Sequence, residues 1–215
     1  MTRPGKIVCV GRNYVAHARE LGNDMPERPL LFLKPPSSIV AGDASIELPP
    51  ESAQVEFEGE IGVVVGARLR RASAEEARAA VRGIVAVNDV TARDLQKTDG
   101  QWTRAKGFDT FCPVGQEAPA PAGDLAELTV VTRVNGVERQ RGTAAEMAFD
   151  IPTLLAYISG VMTLEPGDLV ATGTPAGVGP LAPGDVVEVE VVGYSTVRNG
   201  VVAAPSAAEP ARNTH

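Results

Sequence analysis

The densest run of reactive side chains is Val55-Glu56-Phe57-Glu58-Gly59-Glu60-Ile61-Gly62. Side chains alternate faces along a strand, so Glu56, Glu58 and Glu60 are expected on one face and Phe57, Gly59 and Ile61 on the other. Three like charges on one face repel unless water or a cation neutralises them. The segment continues into Gly62-Val63-Val64-Val65, which carries it toward the core and away from full solvation. A hard cation such as Mg2+ takes carboxylate oxygens at about 2.0–2.1 Å and keeps water or substrate in the rest of its shell. The pattern therefore has two readings, a wet acidic face on an edge strand or a metal site.

A further acid ends the apolar run Gly83–Val87, in Asn88-Asp89. Asp89 is either a third ligand at a strand end or a turn and helix-cap residue ahead of Val90-Thr91-Ala92-Arg93. Of the two histidines, His215 lies in the tail, so His17 is the one expected inside the fold. If Tyr14–Leu21 is helical, His17 and Glu20 share a face at i, i+3. A carboxylate so placed fixes the imidazole tautomer and raises its basicity, leaving the other nitrogen to take a proton from water. The plainer alternative is an incidental pair on a surface helix.

Two more segments combine chemistry with glycine. Gly100–Asp109 holds Trp102, Arg104 and Lys106, and a partly buried lysine there would stabilise an enolate or bind a carboxylate. An ordinary basic surface loop is the other reading. Thr172–Gly179 (TGTPAGVG) follows a strand and lets backbone approach a ligand closely, or is a simple connection. It lacks the P-loop lysine and is not G-x-G-x-x-G, so it does not indicate nucleotide binding. No G-x-S-x-G occurs, and neither cysteine has a histidine close in sequence.

Composition narrows the classes. The 215 residues carry a net charge of −7, with 44% hydrophobic and 22% charged residues, an ordinary globular balance with room for a sizeable core. No apolar run reaches the roughly 18–20 residues of a membrane span. Met1–Gly11 is too short for a signal peptide, and we expect a cytoplasmic protein. Cys9 and Cys112 are in no C-x-x-C, so neither a disulfide framework nor a thiolate zinc site is expected. An acidic chain without basic clusters argues against nucleic acid.

The elements that must position these residues are mostly strands: Lys6–Val10, Val55–Val65, Gly83–Val87, Leu128–Val134, Val137–Gln140, Leu169–Thr172 and Val186–Val192. Asn135-Gly136 is a strong hairpin signal. Helices are expected over Tyr14–Leu21 with Asn13 as cap, over Ser73–Val81 with a Ser73/Glu76 capping box, and over Pro152–Met162. Glu117–Asp124 reads as a loop. The sum is a β-rich α+β domain, single over residues 1–202, with residues 203–215 a disordered tail.

In order along the chain stand GRNY at Gly11–Tyr14, HxxE at His17–Glu20, FLKP at Phe32–Pro35 and ExE at Glu58–Glu60. NDVTARDLQ at Asn88–Gln96, QWTRAKGFDTFCPVG at Gln101–Gly115 and TGTPAGVG follow. Together they resemble the fumarylacetoacetate hydrolase family from Lys6 to about Val192. The likeness is greatest to its bacterial hydroxyheptadienedioate isomerases, acylpyruvate hydrolases and oxaloacetate decarboxylases. The resemblance implies a mixed β-roll with a few short helices, commonly a homodimer. It implies Glu58, Glu60 and Asp89 as ligands for Mg2+ or Mn2+, and Lys106 as the catalytic lysine. It implies His17 and Glu20 as the dyad that deprotonates water, on a segment that orders as a lid. Arg12, Gln96 and the backbone and hydroxyl of Thr174 would lie near a bound 2-oxo acid. Glu56 has no assigned role. The implied activity is hydrolysis of an acylpyruvate C–C bond through a metal-bound enolate, with isomerisation or oxaloacetate-type decarboxylation at the same site as alternatives. A metal- or acid-binding module without turnover is the non-enzymatic alternative.

Overall fold

The computed structural model describes residues 3–20, 22 and 24–205. In chain order the strands are β1 (Ile7–Gly11), β2 (Leu30–Lys34), β3 (Ile39–Ala41), β4 (Ile46–Leu48), β5 (Val55–Phe57), β6 (Gly59–Val65), β7 (Val81–Asn88) and β8 (Thr91–Ala92). They continue with β9 (Cys112–Val114), β10 (Ala118–Pro119), β11 (Thr129–Val134), β12 (Val137–Thr143), β13 (Leu169–Ala171), β14 (Gly179–Pro180), β15 (Val186–Val191) and β16 (Ser195–Ala203). The α-helices are α1 (Val15–Glu20), α2 (Ala74–Ala79), α3 (Arg93–Asp99), α4 (Thr103–Gly107) and α5 (Ile151–Val161). None among the described residues is long and apolar enough to cross a membrane.

An eight-stranded sheet runs β2-β1-β13-β6-β7-β9-β3, with β10 also paired to β7. A five-stranded sheet runs β12-β11-β15-β16-β4, and a ribbon runs β14-β5-β8. The apolar run Ile61–Val65 takes a central strand buried on both faces, as a continuous hydrophobic stretch must. The main core gathers Val8, Ile61, Val63 and Ile84 of the large sheet, Val189 of β15, and Leu154 and Ile158 of α5. Asp150 caps α5 by accepting the Thr153 N–H at 2.8 Å. The Ser73/Glu76 capping box starts α2 as its sequence predicts. The β-rich α+β class and the mixed, curled sheets match the fold read from the sequence.

Several boundaries differ, each for a local reason. Val55–Val65 is two strands in two sheets, broken at Glu58. There the Glu58 N–H donates to Asn88 Oδ1 and the Gly59 N–H to Gln140 Oε1, both at 3.0 Å, so side chains replace the ladder. Asn13 does not cap α1. Its amide donates to Phe149 O and Thr172 O and accepts the Phe149 N–H, so it ties the chain to α5's lead-in and the end of β13 instead. Asn199-Gly200 has the residues of a turn but lies inside β16, because Asn199 Nδ2 is taken by Gly42 O and Ala44 O. That strand includes Ala203, the first residue of the expected tail, and the Ala204 N–H donates to Leu48 O. Residues 206–215, with His215, lie outside the described residues.

Candidate active site

Glu58 occupies the break between β5 and β6, and Asp89 follows the last residue of β7. The Asp89 N–H donates to Glu58 O at 2.8 Å, which fixes the two segments against each other. Lys106 of α4 then donates to Glu58 Oε2 and to Asp89 Oδ2, both at 2.7 Å. The other Asp89 oxygen accepts from Lys34 Nζ at 2.7 Å, and Lys34 also donates to Val90 O. Glu60 Oε2 accepts the Gly173 N–H at 2.8 Å. One carboxylate oxygen from each of Glu58, Glu60 and Asp89 lies within 4.8 Å of the others, and all three residues are buried.

Glu56 stands outside this triad. Arg93 Nε donates to Glu56 Oε2 at 2.8 Å, and Gln54 Nε2 donates to Glu56 Oε1 at 2.6 Å. The same guanidinium reaches Glu58 Oε1 at 2.5 Å and Gln96 Oε1 at 2.6 Å. Glu56 therefore anchors Arg93, and Arg93 fixes Glu58 Oε1 and turns the Gln96 amide so that its NH2 points away from the guanidinium. The shared carboxylate face expected from alternation does not form, because the strand breaks. Asp89 is not a helix cap either: α3 starts four residues later, behind Ala92, with no side-chain cap.

The buried charges do not balance. Glu56, Glu58 and Asp89 each face at least one of Arg93, Lys106 and Lys34. Among the described residues, Glu60 forms no ion pair and is held by the Gly173 N–H. Burial, then the Asp89 and Glu58 charges, push its carboxyl well above the ordinary range. For Glu58, burial acts upward, but Lys106 and Arg93 outweigh it and hold the carboxyl well below that range. For Lys106, burial acts downward and is outweighed by Asp89 and Glu58, which keep it firmly protonated. An oxygen-only donor set one positive charge short suits a hard divalent cation. Oxygens about 2.0–2.1 Å from such an ion lie within about 4.2 Å of one another, so a small side-chain adjustment closes the triad around it.

His17, on α1, points Nδ1 at Glu20 Oε2 at 3.3 Å. With Nδ1–H donated to that carboxylate, Nε2 is the lone-pair nitrogen. Glu20 is itself held, since both its oxygens accept the Gly177 N–H at 3.1 Å. A cavity of about 50 Å³ is lined by Arg12, His17, Glu58, Glu60, Asp89, Gln96, Lys106 and Thr174, with Phe32 and Trp102 as its apolar wall. Arg12 has φ +56°, a strained value for a non-glycine residue, found where the surrounding structure imposes it. Thr174 Oγ1 donates to Gly59 O at 2.9 Å. Lys106 Nζ sits 4.9 Å over the Phe32 ring, and Phe32 meets Trp102 edge-on. Burial pushes the Cys112 thiol up to about 12, so it offers no ready thiolate.

Of the nine site residues that the resemblance implied, eight line this cavity and Glu20 reaches it through His17; Glu56 does not line it. Among the buried polar side chains that brace the acid cluster, Lys34, Arg93 and Gln140 escaped the sequence reading. The FLKP and TARD segments carry the first two, but nothing in the spacing showed that these cations point inward. Gln140 sits in an alternating strand without any motif.

Comparison with known proteins agrees with this geometry. The family model for the fumarylacetoacetate hydrolase C-terminal domain matches residues 6–202. An oxaloacetate decarboxylase of Dictyostelium discoideum is 44% identical, over 89% of this chain and 90% of its own. An oxaloacetate tautomerase of Escherichia coli is 43% identical, over 88% and 90%. The crystal structure of a 2-hydroxyhepta-2,4-diene-1,7-dioate isomerase from Mycobacterium marinum superposes with TM-score 0.85 at 45% identity, covering 94% of this chain and 75% of that one. A fumarylpyruvate hydrolase from Pseudomonas aeruginosa, in complex with Mn2+ and pyruvate, superposes with TM-score 0.86 at 32% identity, covering 94% and 91%. Matched along nearly its whole length in sequence and in fold, the chain belongs to the fumarylacetoacetate hydrolase family.

Proposed function

We propose that this protein is a divalent-metal-dependent enzyme that interconverts the keto and enol forms of oxaloacetate or a closely similar small 2-oxo acid. The observation that carries the reading is the buried Glu58, Glu60 and Asp89 cluster, one cation short, with Lys106 bonded to Glu58 and Asp89 and His17 lining the same small cavity. A divalent cation held by the three carboxylates would act as a Lewis acid on the substrate's 2-oxo group. His17 Nε2, with the ring oriented by Glu20 at Nδ1, takes the proton from the carbon beside that carbonyl. Lys106 stabilises the negative charge that grows on the oxygen, and reprotonation there gives the enol, with no net change of atoms. Arg12 and the freed Gln96 amide bind the substrate's carboxylates. Phe32 and Trp102 exclude water. The Dictyostelium and Escherichia relatives are named for oxaloacetate.

A second reading is hydrolysis of an acylpyruvate. The Glu20–His17 pair, braced by the Gly177 N–H, also suits activation of a water, and the Pseudomonas relative is named a fumarylpyruvate hydrolase. Turnover of oxaloacetate and fumarylpyruvate by metal-stripped protein, before and after Mg2+, separates the two. Mg2+-dependent decay of enol absorbance faster than fumarylpyruvate cleavage supports the tautomerase. The reverse order supports the hydrolase. No metal-dependent turnover of either refutes both.

A further inference from the structure

Gln140 belongs to β12, in the five-stranded sheet, and no step above uses it. It is 1% exposed, and its amide is fully engaged. Oε1 accepts the Gly59 N–H at 3.0 Å, while Nε2 donates to Thr174 Oγ1 at 2.7 Å and to Pro175 O at 2.8 Å. The amide cannot be reversed, because Pro175 O only accepts and the Thr174 hydroxyl has given its one proton to Gly59 O. Both ends of the Gly59 residue are thereby fixed by one interlocked set of hydrogen bonds. That residue separates the candidate ligands Glu58 and Glu60. It also has no room to shift toward the neighbouring sheet, since a Cβ there would lie 1.9 Å from Thr132 Oγ1.

The same strand grips the other end of the loop. Gly177, at φ +101°, packs so closely that a Cβ would lie 2.1 Å from Arg139 O. Its N–H is the one that holds Glu20. Residues 139–140 therefore clamp a loop that touches the ligand strand at one end and the His17–Glu20 pair at the other.

We propose that Gln140 is a positioning residue of the active site. It sets the spacing of Glu58 and Glu60 for the cation and, through the Thr174–Gly177 loop, the placement of Glu20 behind His17. The proposal rests on the metal-dependent reading above. Groups that orient metal ligands from behind are each worth about 10–100-fold in metal affinity or activity.

Gln140→Met keeps the length of the side chain and removes its three hydrogen bonds. Three quantities are compared with wild type: Mn2+ affinity by titration calorimetry, kcat on oxaloacetate at saturating Mn2+, and melting temperature. The expected result is a folded variant whose Mn2+ affinity and kcat each fall about 10–100-fold. Affinity and kcat both within twofold of wild type overturn the proposal, and so does a lowered melting temperature with both unchanged. If Gln140→Met fails to fold, Gln140→Glu carries the test. It keeps the acceptor for the Gly59 N–H, loses the two donated bonds, and must lose at least tenfold in kcat. A wild-type protein that binds no Mn2+ would overturn the metal reading and this inference together, whereas an unaffected variant overturns this inference alone.

Discussion

Lys34 and Asp89 form an ion pair 2.7 Å long with both side chains out of contact with solvent. The lysine comes from edge strand β2 and the aspartate from the end of β7, which are not neighbours in the sheet. The pair occupies the Asp89 oxygen that Lys106 does not, so it fixes the carboxylate's orientation from behind. Breaking one side of a buried pair leaves an uncompensated charge and costs about 3–5 kcal/mol. Lys34→Met is expected to lose about that much stability in urea. Saturating Mn2+ should return part of the loss by supplying Asp89 with a new cation. Unchanged stability, or a loss that Mn2+ leaves untouched, would contradict this arrangement.

The raised carboxyl of Glu60 gives the metal-free protein a specific pH dependence. The group binds its proton more tightly folded than unfolded, so its contribution to stability is complete below the ordinary value of 4.5 and is lost as pH rises through the elevated one. Glu58 acts in the opposite direction: its contribution is present above the ordinary range and disappears as pH falls toward its lowered value. A cation removes the penalty on ionised Glu60. The rise in melting temperature on adding Mg2+ should therefore grow as pH increases above about 5. Glu60→Gln should abolish this growth. Scanning calorimetry at matched pH, with and without Mg2+, reads both. A shift that shrinks with rising pH would contradict the assignment.

If His17 is the carbon base, removing it separates proton transfer from the other work of the site. A positioned base contributes about 10²–10⁴-fold. His17→Ala is expected to lose that much in tautomerisation, with Mn2+ affinity within twofold of wild type. Loss of CO2 from oxaloacetate needs no base at carbon, so any decarboxylation should fall less than tenfold. Glu20→Gln should cost about 10–100-fold in tautomerisation, as the loss of a group orienting the imidazole. Equal losses in both reactions for His17→Ala would argue against a role as the carbon base.

Much of this site was legible in the sequence because its residues fall in short motifs at strand ends, where little chain separates one side chain from the next. Glu58 and Glu60 are two apart, His17 and Glu20 three apart. The arrangement around them was not. Strict alternation placed Glu56 with Glu58 and Glu60, but alternation holds only while a ladder persists, and Asn88 and Gln140 interrupt it at Glu58. Lys34 and Arg93 were given no role of their own, because local sequence does not report that they pair with carboxylates many residues away. Asn13 carried a cap signal that long-range hydrogen bonds overrode. Lys106 and Gln140 reach the acid cluster from a separate helix and a separate sheet, which only the fold brings together.

In the proposed function the three buried carboxylates hold a divalent cation on which the chemistry depends. The most direct measurement compares metal-stripped wild-type protein with Glu58→Gln, following the decay of enol-oxaloacetate absorbance as Mg2+ is added. Wild type should be inactive until Mg2+ is present and then turn over with saturable metal dependence. Glu58→Gln should stay folded and fall at least 100-fold in metal-dependent rate, a difference of about 2.7 kcal/mol in transition-state stabilisation. Full turnover by the variant with the wild-type metal dependence, or metal-independent turnover by wild type, would contradict it.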